Sequence, residues 1–542
     1  MSTVTGGPQI VRTGLILDLD ASSANSYGPI KAEVLVVAGG GGGGMDMGGG
    51  GGGGGVLYSS SYAITRGSTI TVTVGNGGTG APAAGTSGQS GGHQYNISAT
   101  QGGNSVFGSL TSIGGGYGGS SYFGYTPNNG YGSNGGSGGG ASGYSDTSTG
   151  RAGTGTSGQG FNGGGSSGQY YSGGGGGAGG AGVSGPNKPN GGPGVLYPTM
   201  SQYYFGGGGG GAAYSLSSGG DGGIGGGGGG AVGVTVGGDG LNNGSAGGGG
   251  SPNSQTNTPG GNAGANTGGG GGGGSHYNSN NKGGNGGSGI VIIRYKGPQK
   301  ATGGTITTVG TETVHTFTSS GTFVTGTNFI DLSGNGNNGT LTNGPTFNSA
   351  NGGSIVFDGS NQFSTFTPTP TILQGNPNFT VIGFYKRTGN FSYKGFWGIG
   401  GSNAGGTRQG ICNWNYGNTN EIAIDSWSES TFTTGQTYPL NTWIGVAWRK
   451  IAGPTTRANC IISIFDGTNI THYTSTALTV LRAESATNLN INSIGGITLG
   501  SISVDTGYCS PVNIANHCIY NRLLSDAEIL LNFQATKTRF GL

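Results

Sequence analysis

The chain has 542 residues, 138 of them glycine, with 20 Lys+Arg against 18 Asp+Glu and a net charge of +2. So balanced a charge gives no basic patch for nucleic acid. The glycine-rich stretch from Gly39 to Gly289 brings few side chains to bury, which excludes an ordinary hydrophobic core there. Length suggests roughly three to four domains, with a conventional core expected only after about residue 300.

The opening MSTVTGGPQIVRTG has neither a basic nor an apolar signal region, so no secretory signal is expected. No apolar run approaches the ~20 residues that cross a bilayer. Next, Gly14–Tyr27 reads GLILDLDASSANSY. Leu15, Leu17 and Leu19 alternate with Ile16, Asp18 and Asp20, which predicts a half-buried strand. A second strand over 31–38 ends in Val34-Leu35-Val36-Val37 and runs straight into glycine.

A buried strand entering a Gly-rich turn is how a dinucleotide site begins. That site also needs a helix immediately after the loop and an acidic residue ~20 positions on. Here glycine continues to Gly55 and no Lys-Ser or Lys-Thr follows. Glycine is a poor helix former, so nucleotide binding is set aside.

Within the block, Ser68–Val74 alternates through Ile70, Val72 and Val74, and Gly102–Leu110 reads as another short strand. Ile290–Tyr295 closes the block. Leu35–Val37 and Ile290–Ile293 are therefore expected to pair in a small sheet from which the glycine runs leave and return. The runs are expected to pack as left-handed helices of three residues per turn, resembling polyproline II, each N–H bonding a neighbour. A flexible linker is the alternative.

From Gly303 to Val324 the pattern is β, with a Ser-Ser-Gly turn; Glu312, Val314 and Thr316 share one face, Thr313, His315 and Phe317 the other. Strands are expected at 354–357, 379–385, 422–427, 444–450, 461–465 and 497–502. One helix is predicted: Ser525 and Glu528 form a capping box, with Ile529, Leu530 and Phe533 facing a core. Cys412, Cys460, Cys509 and Cys518 form no C-x-x-C pair and are expected as small buried residues or one disulfide.

The span Glu33–Tyr295 resembles the glycine-rich domain of bacteriophage tail-fibre and adhesin proteins, through EVLVVAGGGGGG, GGNSVFGS and GSGIVIIRY. HTFTSSGTFV is similar to the segment that usually precedes VLVVAGGG in that family, but here it follows the block. The C-terminal part resembles the laminin-G-like, concanavalin-A-like jelly roll of phage and marine structural proteins. The motifs are DLSGNGNNGTLTNGPTFNSANGGSIVFDGSN, NTWIGVAW and IYNRLLSDAEILLNFQATKTRFGL. That family opens with a strand like GLILDLDASSANSY, shortly followed by DLSGNGNNGTL. Their separation in this chain implies an insertion.

The expected fold is all-β. A jelly roll takes its first strand from 1–28 and continues over 327–542; a glycine-rich insert occupies 29–297, a β connecting segment 298–326, and one short helix lies near the C-terminus. The insertion predicts that Leu15–Leu19 pairs with strands beyond residue 350.

Candidate sites are weighed against simpler roles. Asp331, Asn335, Asn337 and Asp358 offer hard oxygens of the kind calcium takes; alternatively they bond their own turns. Trp414 and Tyr416, with Asn413 and Asn415, are the best cluster for a ligand such as a glycan, or else pack at an edge. Glu421, Asp425 and Glu429 could share a strand face, but residues four apart lie ~13 Å apart, beyond the ~5–9.5 Å of catalytic carboxylate pairs.

The expectation is a non-enzymatic phage virion fibre or adhesin, without catalytic residues or any cofactor except possible calcium. Its partners would be other virion proteins, a host-surface glycan or protein, and further copies of itself as a homo-oligomer such as a trimer; nucleic acid and membrane insertion are not expected. A purely structural virion component and, more weakly, a polysaccharide-active enzyme are the alternatives.

Overall fold

Leu15–Asp20 forms a strand whose leucines are buried, and it pairs antiparallel with Pro511–Tyr520, with Leu17 opposite Ile519 and Leu19 opposite His517. This is the pairing expected of a first strand returning to the C-terminal half. The computed structural model describes residues 9–542 except 24–25, 84–97, 122–129, 144–150, 168–169, 215–217, 250–257, 277–280, 327, 401–409, 414, 416, 418, 427–429, 483, 485–486 and 504–505. The protein is mostly β, with several antiparallel sheets and one short C-terminal α-helix. It divides into two compact units, residues 1–30, 64–67 and 326–542 in one, 31–63 and 68–325 in the other.

In the first unit, an eight-stranded sheet follows the order 346–348, 354–358, 511–520, 379–387, 443–450, 460–465 and 470–473. The strand Leu15–Asp20 continues the edge that Ser354–Asp358 begins: Ile355 lies opposite Ile514, while Asp20 lies opposite Asn516. It thus supplies hydrogen-bond partners for backbone that would otherwise be an open edge. A nine-stranded sheet runs from 328–329 to 479–482. The two sheets share one core, in which Trp448 meets Trp397 edge-on at 5.3 Å and its indole N–H bonds the Ala423 carbonyl.

The helix Asp526–Thr536 packs on the other face of the eight-stranded sheet, with Ile529 and Phe533 against Phe384 and Phe465. Its capping box is complete. Leu530, expected inside, is exposed; Asn532 and Thr536 take the buried face with Ile529 and Phe533. Positions i, i+3, i+4 and i+7 share a helix side, and i+1 does not. All four cysteines are buried and none forms a disulfide.

In the second unit, Leu35, Val36 and Val37 lie opposite Ile292, Val291 and Ile290, as expected. Thr305–Val309, Glu312–Phe317 and Val56–Ile64 complete that five-stranded sheet. Gly321–Thr325 pairs with Thr69–Thr73 in a second one. His315 is fully buried; its Nδ1 meets the Gly303 carbonyl at 2.8 Å and its Nε2 the Tyr295 hydroxyl at 2.9 Å. Burial holds its imidazole below the ordinary histidine pKa.

The glycine tracts leave these sheets and bond one another with period three. Gly39 and Gly42 donate to Gly103 and Thr100, Gly40 and Gly43 to Gly287 and Gly284, Gly41 and Gly44 to Gly52 and Gly49, all at 2.9–3.0 Å. The same period governs packing: a Cβ on Gly40 would overlap the Gly269 carbonyl oxygen, and one on Gly43 that of Gly272. Glycine is needed here for close approach of backbone to backbone, since neither residue has a positive φ.

At solvent-facing positions, asparagines take over the acceptor role. Asn285 Oδ1 accepts the Gly80 N–H at 2.9 Å, Asn262 Oδ1 that of Asn285 at 2.8 Å, and Asn134 Oδ1 that of Thr154 at 2.8 Å. Backbone donors at the rim of the tracts are thereby closed. Among the described residues, no helix is long and apolar enough to cross a membrane.

Candidate functional site

The turn Asp331–Asn338 is rich in Asp, Ser and Asn, whose short side chains bond nearby backbone. Asp331 Oδ1 accepts the N–H groups of Asp18 (3.0 Å) and Ser333 (2.9 Å). Its Oδ2 accepts the Ser333 hydroxyl (2.8 Å) and the Asn337 N–H (3.0 Å). Asn335 Nδ2 donates to the Leu15 carbonyl at 2.9 Å, and Asn337 Nδ2 to that of Ile16 at 2.7 Å. The turn therefore clasps the first strand from more than three hundred residues away.

These bonds account for three of the four residues considered for calcium. Asp331 spends both oxygens on four protein donors, and the two asparagines point N–H groups at carbonyls. Asp358 shares none of this; it is exposed and accepts the Ser360 N–H at 2.8 Å to close its own turn. No group of three or more His, Cys, Asp or Glu side chains able to hold a metal occurs among the described residues.

Beside the turn lies a pocket of about 380 Å³, lined by Ile16 and by the segments Asn335–Asn338 and Phe366–Ile372. No lining residue is charged. Among the described residues, Asn335 and Asn337 use only their side-chain amide nitrogens, and Asn338 only its side-chain oxygen, which accepts the Asp331 N–H at 2.9 Å. Thr369 is fully buried and its hydroxyl has no partner among the described residues. Ile372 is 53% exposed. Sequence reading missed the pocket because its second segment, FTPTPTI, carries no motif; its run of alternating threonine and proline was the available signal.

The amides expected on the rim are inside. Asn413 is buried, accepting the Phe396 N–H at 2.5 Å and donating to the Tyr438 hydroxyl at 3.1 Å. Asn415 is buried too, bonded to the Phe391 carbonyl and, at 2.9 Å, to the Thr419 hydroxyl. They are corrected to structural roles: each closes backbone or hydroxyl groups that burial would leave unpaired. Trp414 and Tyr416 lie outside the described residues.

Of the candidate acids, Asp425 is buried against the Thr431 hydroxyl, and Glu421 stands four residues away on the same strand; Glu429 lies outside the described residues. A serine, a histidine and an aspartate do meet elsewhere. Ser463 Oγ is 2.8 Å and Asp526 Oδ1 3.6 Å from His472, but both approach the same nitrogen, Nδ1, which also faces Arg449 at 3.3 Å. A proton relay needs the two ring nitrogens to serve different partners, so this cluster cannot pass a proton from serine to aspartate.

Residues 22–265 match the family model of a glycine-rich domain. No curated protein sequence matches the chain. Among solved structures, it is similar to the sialidase of Trypanosoma rangeli in complex with the inhibitor DANA, at 16% identity and a TM-score of 0.27, over 39% of this chain and 31% of that one. The chain thus spans about a third of the sialidase's length. It is also similar to domain 4 of an extracellular arabinanase from Geobacillus stearothermophilus in complex with arabinotriose, at 13% identity and a TM-score of 0.27, over 38% and 91%. An α-L-arabinofuranosidase follows at 12% identity and a TM-score of 0.29, over 41% and 52%. Against the expectation of a chain without enzymatic activity stand the names of these three neighbours, a sialidase, an arabinanase and an arabinofuranosidase. TM-scores this low assign this chain no reaction.

Proposed function

We propose that the chain is a fibre or adhesin component of a bacteriophage virion, which presents a surface to the host cell. The observation that supports it most is the period-three bonding of the glycine tracts. A helix with three residues per turn sends successive N–H groups in directions a third of a turn apart, so each neighbour returns every third residue. The tracts are then packed polyglycine helices resembling polyproline II. Such a bundle has no glycine rotamers to freeze and pairs its backbone groups internally, so it holds the tracts at defined spacing.

In the same reading, the unit containing 326–542 is a laminin-G-like jelly roll whose first strand precedes the insert, with 29–297 inserted and 298–326 connecting. The register of Leu15–Asp20 on Pro511–Tyr520 supports it. Partners are other virion proteins, a host-surface glycan or protein, and further copies of the chain in a homo-oligomer such as a trimer.

The test uses the full-length protein and particles that carry it. Purified protein adsorbs to host cells and blocks infection, and labelled antibody decorates a surface appendage. Absence of adsorption and of blocking, with label only inside the particle, overturns the proposal in favour of a structural virion component.

A further inference from the structure

We infer that the pocket between Asn335–Asn338 and Phe366–Ile372 binds one unit of an uncharged saccharide. The inference rests on the adhesin reading and gives its receptor a chemistry. At about 380 Å³ the pocket falls within the ~300–1,000 Å³ range of small-molecule sites.

Its lining selects against charge. No Asp, Glu, Lys, Arg or His is present, and Asp331 in the adjoining turn has both oxygens occupied by protein donors. A phosphate or an acidic sugar would lose water without gaining a counter-charge, and a metal ion likewise.

Its free groups suit hydroxyls. Among the described residues, the amide oxygens of Asn335 and Asn337 accept from no donor, and the Asn338 Nδ2 donates to no acceptor. The threonine hydroxyls at 367 and 371 can act either way. A sugar hydroxyl donates and accepts at once, so it can satisfy both kinds. Ile372, half exposed, offers an apolar surface to the C–H face of a pyranose ring. Asn335 and Asn337 are already pinned to the first strand by their nitrogens, so binding does not have to order them, which lowers its entropic cost.

The experiment titrates the full-length protein with the methyl glycosides of glucose, galactose, mannose and N-acetylglucosamine, by calorimetry and saturation-transfer NMR. N-acetylneuraminic acid and inorganic phosphate are the charged controls. Ile372→Ala and Thr371→Ala alter exposed side chains, and tryptophan fluorescence verifies that both variants fold.

The expected result is binding of at least one neutral glycoside, weakened about ten-fold in each variant, with no binding of the controls. Equal binding by the variants, equal binding of the charged controls, or no binding of any glycoside overturns the inference. Host-cell adsorption by the same preparation separates the two readings. Adsorption without glycoside binding overturns the pocket and leaves the adhesin; glycoside binding without adsorption supports the pocket and overturns the adhesin.

Discussion

Gly43 shows what single glycines do in this protein. Its N–H bonds the Gly284 carbonyl at 2.9 Å, and a Cβ there would overlap the Gly272 carbonyl oxygen. Backbone cannot step aside as a side chain can, so Gly43→Ala is expected to cost about 1–3 kcal/mol. Gly249 has only a carbonyl at 3.9 Å beside the same position and no positive φ, so Gly249→Ala is expected to be neutral. Hydrogen exchange over residues 39–54 measures the difference; equal protection in the two variants would show that close approach is not what requires glycine. The asparagines extend the point. Asn285 and Asn262 are exposed, and each accepts a backbone N–H through its side-chain oxygen.

At the scale of elements, the C-terminal helix depends on its first turn. Ser525 accepts the Glu528 N–H, and Glu528 returns the bond while holding Arg522 at 2.5 Å. The Arg522 guanidinium and then the Ser525 backbone N–H draw the Glu528 carboxyl down to about 2 from an ordinary 4.5. A carboxyl depressed on folding stabilises the folded form above its unfolded pKa and loses that contribution as pH falls through the folded one. Amide protection of residues 526–536 should therefore decline between pH 4.5 and about 2, and Glu528→Gln should remove most of that dependence. Ser525→Ala should cost ~1 kcal/mol at neutral pH. The capping box was legible because it is a local spacing of two residue types. The exposure of Leu530 was not, because the sheet decides which face of the helix it receives.

At the scale of the whole molecule, acid stability turns on a residue with no sequence signature. His517, on the strand Pro511–Tyr520, is fully buried, its Nδ1 2.7 Å from the Tyr385 hydroxyl and its Nε2 without a partner among the described residues. Burial lowers its pKa to about 3. The unfolded chain takes up this proton below about pH 6.5, while the folded chain stays neutral until about 3. Stability must then fall as pH drops through that window, by roughly 1.4 kcal/mol per pH unit for one proton. All five tryptophans lie beyond residue 390, so their fluorescence reports unfolding of this unit. His517→Gln should reduce the slope of unfolding free energy against pH by about one proton; an unchanged slope would mean that this histidine does not stay neutral in the fold.

Sequence alone determined where backbone is extended and where it is bare. Alternation at Leu15, Leu17 and Leu19, the apolar runs Val34–Val37 and Ile290–Ile293, and the glycine tracts between them are local patterns, and local sterics suffice to read them. Tertiary structure decided which polar groups stay outside. Asn413 and Asn415 look like a rim and lie in the interior because Phe396, Phe391 and Tyr438 supply partners for them there. Asp331 looks like a metal ligand and instead fastens a strand that begins the chain. In both cases the outcome depends on hydrogen-bond partners distant in sequence, and burial of a polar group is tolerable only where such a partner arrives.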